Sequence, residues 1–516
     1  MAPASPSVSN ESSGIGKLAR SSAIIFVGTV FGQVLGLFGE LLIIRSLDPD
    51  RYGVLALGYT VVLVASRLAV IGIPPGVTRI ASTNDDRATQ ASIFRAGYSI
   101  VLIIGAFALT ALFLFRELIA KVMGGPELAS ILIPLLPIVV VFPLGMVSFS
   151  GLRIFDRSIA AVLSRDIGSR IGAITLLAAG ILLGQPMLGA IAYWVTIPLL
   201  LFVLVAYFLR RDIPLRDVIG VPHRDELERV WSFSWPLAVA SSFILLMSNV
   251  DTLMIGYFLG SKQVGYYRAL QPLRKVTLFV LSSFLFVYLP QATRFYSEGE
   301  IEKLTDLYRV STKWIGAGTF PFVLVFVVFA PDVIRVFLGV EYLPGTLAFQ
   351  VLIAGLLLTA FVGPNGATIK ALDRPRLEMY SALLGLVVNV ALNVVLIPAL
   401  GIVGAAIATI MGYAVYELIE VTVIYRLTGD HPFSIANVKP LVPTAIVAVS
   451  IAKVLSPYKL GLAALIGIGV VISTVQLVSM IFTRSLEPSD RMIVRQIETR
   501  AGIDLSFVNY YIDDPE

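Results

Sequence analysis

About fourteen stretches of this chain are apolar over a length that crosses roughly 30 Å of hydrocarbon, and little but a bundle of membrane helices accommodates them. They fall near 18–44, 52–73, 93–115, 131–151, 159–183 and 187–209, resume near 233–259, 266–290, 314–338, 344–370, 377–399 and 402–427, and end with 438–455 and 460–484. Hydrocarbon offers no hydrogen-bond partner to a peptide group, so each run must satisfy its own backbone as a helix. With 57% hydrophobic and 14% charged residues, a soluble globular fold is excluded at this length. The expected fold class is an all-α polytopic membrane protein.

The chain also repeats itself. Arg153, Asp156 and Arg157 are answered 217 positions later by Lys370, Asp373 and Arg374. Gly184 with Ala190, Ile191 and Ala192 matches Gly401 with Ala406, Ile407 and Ala408, allowing a one-residue slip, and Ile44, Leu47 and Gly53 match Ile255, Leu259 and Gly265. Each half holds six spans, and an even number returns the chain to its starting side. The halves are therefore expected as parallel repeats about an axis along the membrane normal. The expected organisation is a tail 1–17, an N-lobe 18–209, an interlobe linker 210–232, a C-lobe 233–427, two extra spans within 428–484 and a tail 485–516.

Charge gives an orientation. The segment 1–16 is rich in Ser and Pro and lacks the pattern of a cleavable signal. Placing the amino terminus in the cytoplasm puts about 27 of the 39 basic residues on that side, an inward excess that favours this topology with both termini cytoplasmic. The duplicated basic motifs then become short cytoplasmic turns. The formal charge of +5 is spread between apolar segments, so nucleic acid is not expected as a partner. Arg210 to Val230, dense in both signs of charge, reads as an interfacial linker helix. No cysteine is present, and His223 and His431 both lie in connecting segments, which leaves almost no material for thiolate or His metal sites or a Ser/His triad. Neither catalytic residues nor a resident metal or cofactor is expected, only a possible coupling H⁺ or Na⁺.

Several motifs carry a resemblance. Asp251, Ile255, Gly256, Leu259, Gly260, Gly265, Tyr267 and Ala269 resemble the start of the second lobe in polysaccharide flippases of the multidrug/oligosaccharidyl-lipid/polysaccharide exporter superfamily. Arg45, Leu47, Tyr52, Gly53, Gly72, Pro74 and Arg79 look like the matching part of the first lobe. Ala330, Pro331, Gly339 and Tyr342, then Ala371, Arg374 and Pro375, then Asn389, Asn393, Pro398, Gly401, Gly404 and Ala405 continue the likeness through nearly the whole membrane portion. The resemblance implies two six-helix lobes in a V around a central cavity, with spans 13 and 14 alongside. It also implies movement of a lipid-linked oligosaccharide from the cytoplasmic to the outer leaflet.

Ionisable groups in hydrocarbon are costly and are site candidates by default. Asp166 and Arg170 stand four apart in the fifth span and either form an internal ion pair or serve the site, with Arg165 turned about 100° away and free to meet an anion unless another helix supplies its carboxylate. Arg67, Arg165 and Arg170 are the candidates for substrate phosphate, which Arg binds bidentately, with Arg45, Arg274 and Lys275 as weaker ones. At the corresponding place the second half offers Asn389 and Asn393 for the sugar. The repeat places Glu40 opposite Asp251, one carboxylate per lobe for an ion to bind, while Glu417 and Glu420 in the twelfth span have no counterpart at Leu201. Glu40 and Asp251 have the alternative role of each pairing with a basic residue across its lobe. Asn249 is a neutral ligand for Na⁺ beside Asp251. Tyr257, Tyr266, Tyr267, Tyr288, Trp194 and Trp235 are either sugar-stacking residues or an interfacial belt. Gly28, Gly32, Gly36 and Gly39 allow close helix contact, as a gate surface or as plain packing.

The leading functional expectation is a monomeric flippase for a polyprenyl- or dolichyl-phosphate-linked oligosaccharide in a prokaryotic cell membrane. It would work by alternating access, with membrane lipids and glycan assembly enzymes as partners. The alternative is an ion-coupled drug or metabolite antiporter of the same superfamily, which the buried arginines disfavour. A membrane glycosyltransferase or ligase would want a large outer loop, and a scaffold that has lost transport would keep the same fold.

Overall fold

The computed structural model describes residues 8–70, 72–84 and 86–491. They form two compact units that meet between Gly265 and Tyr266. Among the described residues every regular element is a helix or helical turn, and twelve spans are long and apolar enough to cross a membrane. A bent pair, Ser261–Thr277 with Phe279–Ser297, adds a thirteenth if its two arms, at 48°, count as one span. The expected fifth span is helical from Ser158 to Leu182, but Arg165, Asp166 and Arg170 interrupt its apolar character. An uninterrupted count of fourteen is therefore not reached.

The first unit begins with α1 (Val8–Ser46), α2 (Pro49–Val70), α3 (Ile73–Ser82), α4 (Arg87–Met123), α5 (Pro126–Leu135) and α6 (Ile138–Ile154). Asp86 starts α4 as an N-cap, accepting from the Ala88 and Thr89 amides at 3.3 and 2.9 Å. The Thr89 hydroxyl, which donates to Asp86 Oδ2 at 2.7 Å, and then these two amides hold the Asp86 carboxyl below its usual range. Then come α7 (Ser158–Val162), a π-helical turn Leu163–Gly168, α8 (Ser169–Leu182), α9 (Pro186–Leu209), α10 (Leu215–Val218), α11 (Arg224–Met247), α12 (Val250–Leu259) and the start of α13 (Ser261–Ala269). The linker is not the single helix expected over Arg210 to Val230. Pro214, Gly220 and Pro222 confine it to the four residues of α10, and from Arg224 the chain is already the first turn of α11.

The α1 glycines are packing residues. A Cβ on Gly28 would run into Val162, one on Gly32 would lie 2.6 Å from the Asp166 carbonyl oxygen, one on Gly36 would strike Arg170 Nη1, and one on Gly39 would lie 2.5 Å from Tyr193. Gly28, Gly32 and Gly36 thus mesh in order with Val162, Asp166 and Arg170, both series advancing by four residues. Without a side chain the backbones approach closely enough for dispersion to hold two helices that gain nothing from leaving lipid.

The duplicated basic motif is a repeated helix-ending turn. Asp156 and Asp373 take positive φ of 52° and 55°. At the first, the Arg157 amide donates back to Leu152 O at 2.8 Å; at the second, the Arg374 amide donates to Ile369 O at 3.2 Å. This is the six-to-one bond of a Schellman cap, and Asp tolerates the left-handed position better than most residues. The basic partners differ, since Arg157 pairs with Asp212 at 3.1 Å and Lys370 with Glu378 at 2.9 Å. A second repeated pair meets directly: a Cβ on Gly53 would collide with the Ser261 carbonyl, and one on Gly265 with the Pro49 carbonyl. Lys262 bridges to Asp50 at 3.3 Å beside this crossing.

The second unit completes α13 and continues through α14 (Gln271–Thr277), α15 (Phe279–Ser297), α16 (Ile301–Val328), α17 (Ala330–Phe337), α18 (Thr346–Val362) and α19 (Asn365–Ala371). It ends with α20 (Pro375–Leu400), α21 (Ile402–Thr428), α22 (Ile435–Val438), α23 (Leu441–Leu455) and α24 (Leu462–Phe482). Helix α16 is central, packing on α15, α18, α23 and α24, while α20 and α21 form the closest hairpin. The segment expected as a free tail from residue 485 is pinned at its start. The buried Lys313 ammonium donates to Ser485 O at 2.9 Å and Asp490 Oδ2 at 2.6 Å, and Trp314 Nε1 donates to Asp490 Oδ1 at 2.9 Å. The rest of that tail and residues 1–7 lie outside the described residues, and α1 begins at Val8 rather than near 18.

Two substitutions test this packing by thermal melting of the purified full chain. Gly32→Leu is expected to destabilise by about 1–3 kcal/mol through overpacking against the Asp166 backbone, whereas Gly467→Leu, with open space around it, leaves the midpoint unchanged. Asp156→Gly is expected to stabilise by about 1 kcal/mol and Asp156→Val to destabilise by a similar amount, reflecting the left-handed backbone. Equal midpoints for the two Asp156 variants would refute the assignment of strain to that turn.

Candidate functional site

The first unit concentrates its charge around the π-turn. Arg165 donates from Nε to Asp166 Oδ1 at 3.2 Å and from Nη2 to Asp166 Oδ2 at 3.1 Å, and Thr29 Oγ1 donates to the same carboxylate at 3.5 Å. This corrects the expected pairing of Asp166 with Arg170. The i→i+5 hydrogen bonding of the π-turn widens the helix and changes the angle between successive side chains, so spacing rules for an α-helix do not carry across it. Arg165 is not free, yet its side chain keeps 40% exposure while Asp166 keeps 6%. The buried carboxylate thus anchors a guanidinium whose Nη1 edge remains available.

The ring of Phe149 completes this arrangement. Arg165 Cζ lies 5.0 Å from its centroid and Arg153 Cζ 5.3 Å, so two cations share one aromatic ring. Arg170, one turn further along, lies against the Gly36 notch with a buried Nε that has no hydrogen-bond partner. Tyr193 Oη donates to Gly36 O at 3.5 Å and lies within electrostatic reach of Arg170, Glu40 and Tyr59. Tyr59 stacks on Trp194 with centroids 4.2 Å apart. Glu40, Arg165, Asp166 and Arg170 are thereby linked through α1 and Tyr193 within one unit.

The remaining candidates in this unit lie elsewhere. Arg67 is exposed on α2 with Cζ 4.7 Å from the Phe142 ring centroid, two turns along α6 from Phe149. Arg45 is exposed at the end of α1. Asp251 is buried at the start of α12, and the adjacent Asn249 spends its amide on Leu245 O at 2.9 Å, closing the end of α11.

In the second unit the acids share a face of α21. Tyr413, Tyr416, Glu417 and Glu420 follow helical spacing, and both glutamates are buried. Thr359 approaches Glu417 and Tyr416 approaches Glu420, but Glu417 Oε2 and both oxygens of Glu420 have no well-aligned donor among the described residues. Arg274 lies over the Tyr413 ring at 5.3 Å and is the cation nearest in influence to Glu417; Lys370 and Glu378 act on Glu420. Tyr308, which donates to Val362 O at 2.9 Å, and Asn365, whose buried Nδ2 has no partner, lie around the same region. Lys275 is exposed.

Asn389 and Asn393 are fully buried, with Asn393 Nδ2 donating to Asn389 Oδ1 at 3.2 Å. Asn389 also fills the notch of Gly412, 2.7 Å from where its Cβ would stand, so these amides lie in the α20–α21 hairpin. Among the aromatic candidates, Tyr267 bonds Thr409 at 3.1 Å and Tyr288 bonds Thr368 at 2.6 Å, both buried, whereas Tyr257 and Trp235 are exposed. Sequence reasoning missed the Phe149 ring and the Tyr416, Tyr308 and Thr359 shell. The Tyr-x-x-Tyr-Glu-x-x-Glu spacing over 413–420 was the available signal for part of the latter.

Comparison with known proteins agrees with this architecture. Residues 18–296 match the family model described as "Polysaccharide biosynthesis protein", and residues 236–395 match the one described as "MatE". The "Probable low-salt glycan biosynthesis flippase Agl15" of Haloferax volcanii is 23% identical over 407 residues, covering 78% of this chain and 82% of that protein. A solved structure of "Lipid II flippase MurJ, inward closed conformation" superposes with a TM-score of 0.73 at 14% identity, over 90% of this chain and 99% of that one. An inward-facing multidrug resistance MATE family transporter of the MOP superfamily gives 0.65 at 16%, over 79% and 98%. With one family model spanning more than half of its length, and a membrane-helix fold shared with both transporter branches, the chain belongs to the polysaccharide biosynthesis protein family of the multidrug/oligosaccharidyl-lipid/polysaccharide exporter superfamily.

Proposed function

We propose that this protein is a flippase for a polyprenyl- or dolichyl-phosphate-linked oligosaccharide in a prokaryotic cell membrane, with both termini cytoplasmic. The observation that carries the reading is the Arg165 guanidinium, anchored by a buried carboxylate, stacked on Phe149 beside Arg153, and still accessible. An anchored guanidinium keeps its donor geometry in an apolar setting and presents an open N–H edge, which suits a phosphate oxygen. Family membership supports a lipid-linked glycan as cargo, and the relatives are flippases and transporters rather than enzymes. Arg67 and Arg170 are the further cations proposed for the phosphate, Asn389 and Asn393 are proposed for the sugar, and the lobes alternate access.

Reconstituted protein is expected to move a fluorescent polyprenyl-phosphate-linked saccharide to the far leaflet, read by loss of protection from a membrane-impermeant quencher. Arg165→Gln is expected to slow translocation about tenfold or more, the loss of a charge-assisted bond, at unchanged protein level, with Arg165→Lys recovering part. Full-rate translocation by Arg165→Gln would overturn the phosphate role. A wild type that moves no lipid-linked saccharide but extrudes a cationic drug would favour the antiporter reading, which the MatE match supports.

Glu417 and Glu420 are assigned to ion coupling, because a buried carboxylate with unfilled oxygens is favoured with a proton or a cation on it. Glu40 and Asp251, which the repeat sets opposite one another, are the further acids proposed for that role. An imposed proton or sodium gradient is expected to accelerate translocation in wild type and to lose that effect in Glu417→Gln with Glu420→Gln. Translocation by wild type that ignores both gradients would reject coupling.

A further inference from the structure

A cavity of about 180 Å³ opens in the first unit, separate from the Arg165 cluster. Phe94 and Tyr98 of α4, Leu144 of α6, Phe202 and Ala206 of α9 and Ile219 after α10 contribute to its lining. Its one hydroxyl, on Tyr98, is already paired with Ser148 at 2.7 Å, so the wall is apolar to an incoming group. A dry apolar cavity of roughly 150 Å³ already accommodates a benzene-sized hydrocarbon.

The rim carries positive charge. Arg95 follows Phe94 and reaches the segment after α10, donating from Nη2 to Asp217 O at 2.5 Å, while its buried Nε has no hydrogen-bond partner. A Cβ on Gly220 would stand 3.8 Å from that Nε, which places the guanidinium beside Ile219 at the mouth. No carboxylate pairs with Arg95 among the described residues; Asp217 pairs with Arg216 at 3.5 Å and Glu226 accepts from Ser92. Ile219 and Val221 are 76% and 89% exposed, so an apolar mouth lies beside an uncompensated cation. That combination suits the interface of a bilayer, where hydrocarbon and phosphate meet.

We propose that this cavity holds a hydrocarbon chain of an anionic membrane phospholipid whose phosphate faces Arg95. The lipid seals the gap between α4, α6, α9 and the α10 strap. It is a resident of the membrane, distinct from the transported cargo.

The test uses the full chain in nanodiscs of phosphatidylcholine doped with phosphatidylglycerol carrying a photoreactive group in its acyl chain, with crosslinked peptides mapped by mass spectrometry. Crosslinks are expected between Phe202 and Ile219, about fivefold stronger than from the matching phosphatidylcholine probe, the increment of one arginine at a membrane surface. Arg95→Gln is expected to remove the preference. Ala206→Trp, which fills the cavity, and Ile219→Asp, at an exposed position on its lining, are each expected to remove the crosslinks while those on α24 persist. Absence of crosslinks from 202–219, their persistence in Ile219→Asp, or equal labelling by both lipids would overturn the proposal.

Discussion

Lipid gives helices no hydrophobic reason to associate, and that constraint governs every close contact in this protein. Association must come from shape and from polar groups that have no better partner. Glycine supplies the shape: α1 meets the fifth span through Gly28, Gly32 and Gly36, α21 meets α20 through Gly404 and Gly412, and α18 accepts Ile410 at Gly355. Polar groups supply the rest where charge is unavoidable. Lys313 is buried, and breaking its pairs with Asp490 and Glu487 would leave an uncompensated charge, so the segment after α24 is held to α16 at its root. Packing by notches is also local, which is why each unit can be understood from its own contacts.

The sequence is most legible where one physical effect acts alone. Apolar length locates the helices because nothing competes with hydrocarbon burial over twenty residues. The repeated turn could be found from Arg153, Asp156 and Arg157, although its cause, a left-handed Asp closing a six-to-one bond, lies in the backbone. The glycine stripe was visible, and its partners in Val162, Asp166, Arg170 and Tyr193 settle its use as packing.

Legibility fails where spacing rules assume the wrong helix or where partners are remote. The pairing around Asp166 could not be read because i,i+4 geometry presumes 3.6 residues per turn, and Leu163–Gly168 is π-helical. The Lys313–Asp490 pair spans 177 positions, beyond any local pattern. In the linker, mixed charge suggested a helix, but Pro214, Gly220 and Pro222 outweigh helix propensity over so short a stretch. The burial of Asn389 and Asn393 depends on Gly412 across the hairpin, a complement visible only once the two helices are paired.

The repeat separates architecture from chemistry at a single position. Counting 217 residues back from the turn motif, less the one-residue slip, sets Leu201 of the first half against Glu417 of the second. Leu201 is buried with Phe149, Leu152, Ala160, Val205 and Leu209. That apolar cluster includes the ring over which Arg165 and Arg153 lie. Glu417 occupies the same place in the duplicated helix and turns it into an acidic face shared with Glu420. The repeat keeps the left-handed turn at Asp156 and Asp373 and the glycines at 53 and 265, and it differs at 201 and 417. A leucine there packs in an apolar cluster, and a glutamate there is a buried acid. The repeat thus carries cations around Phe149 in one unit and buried acids on α21 in the other.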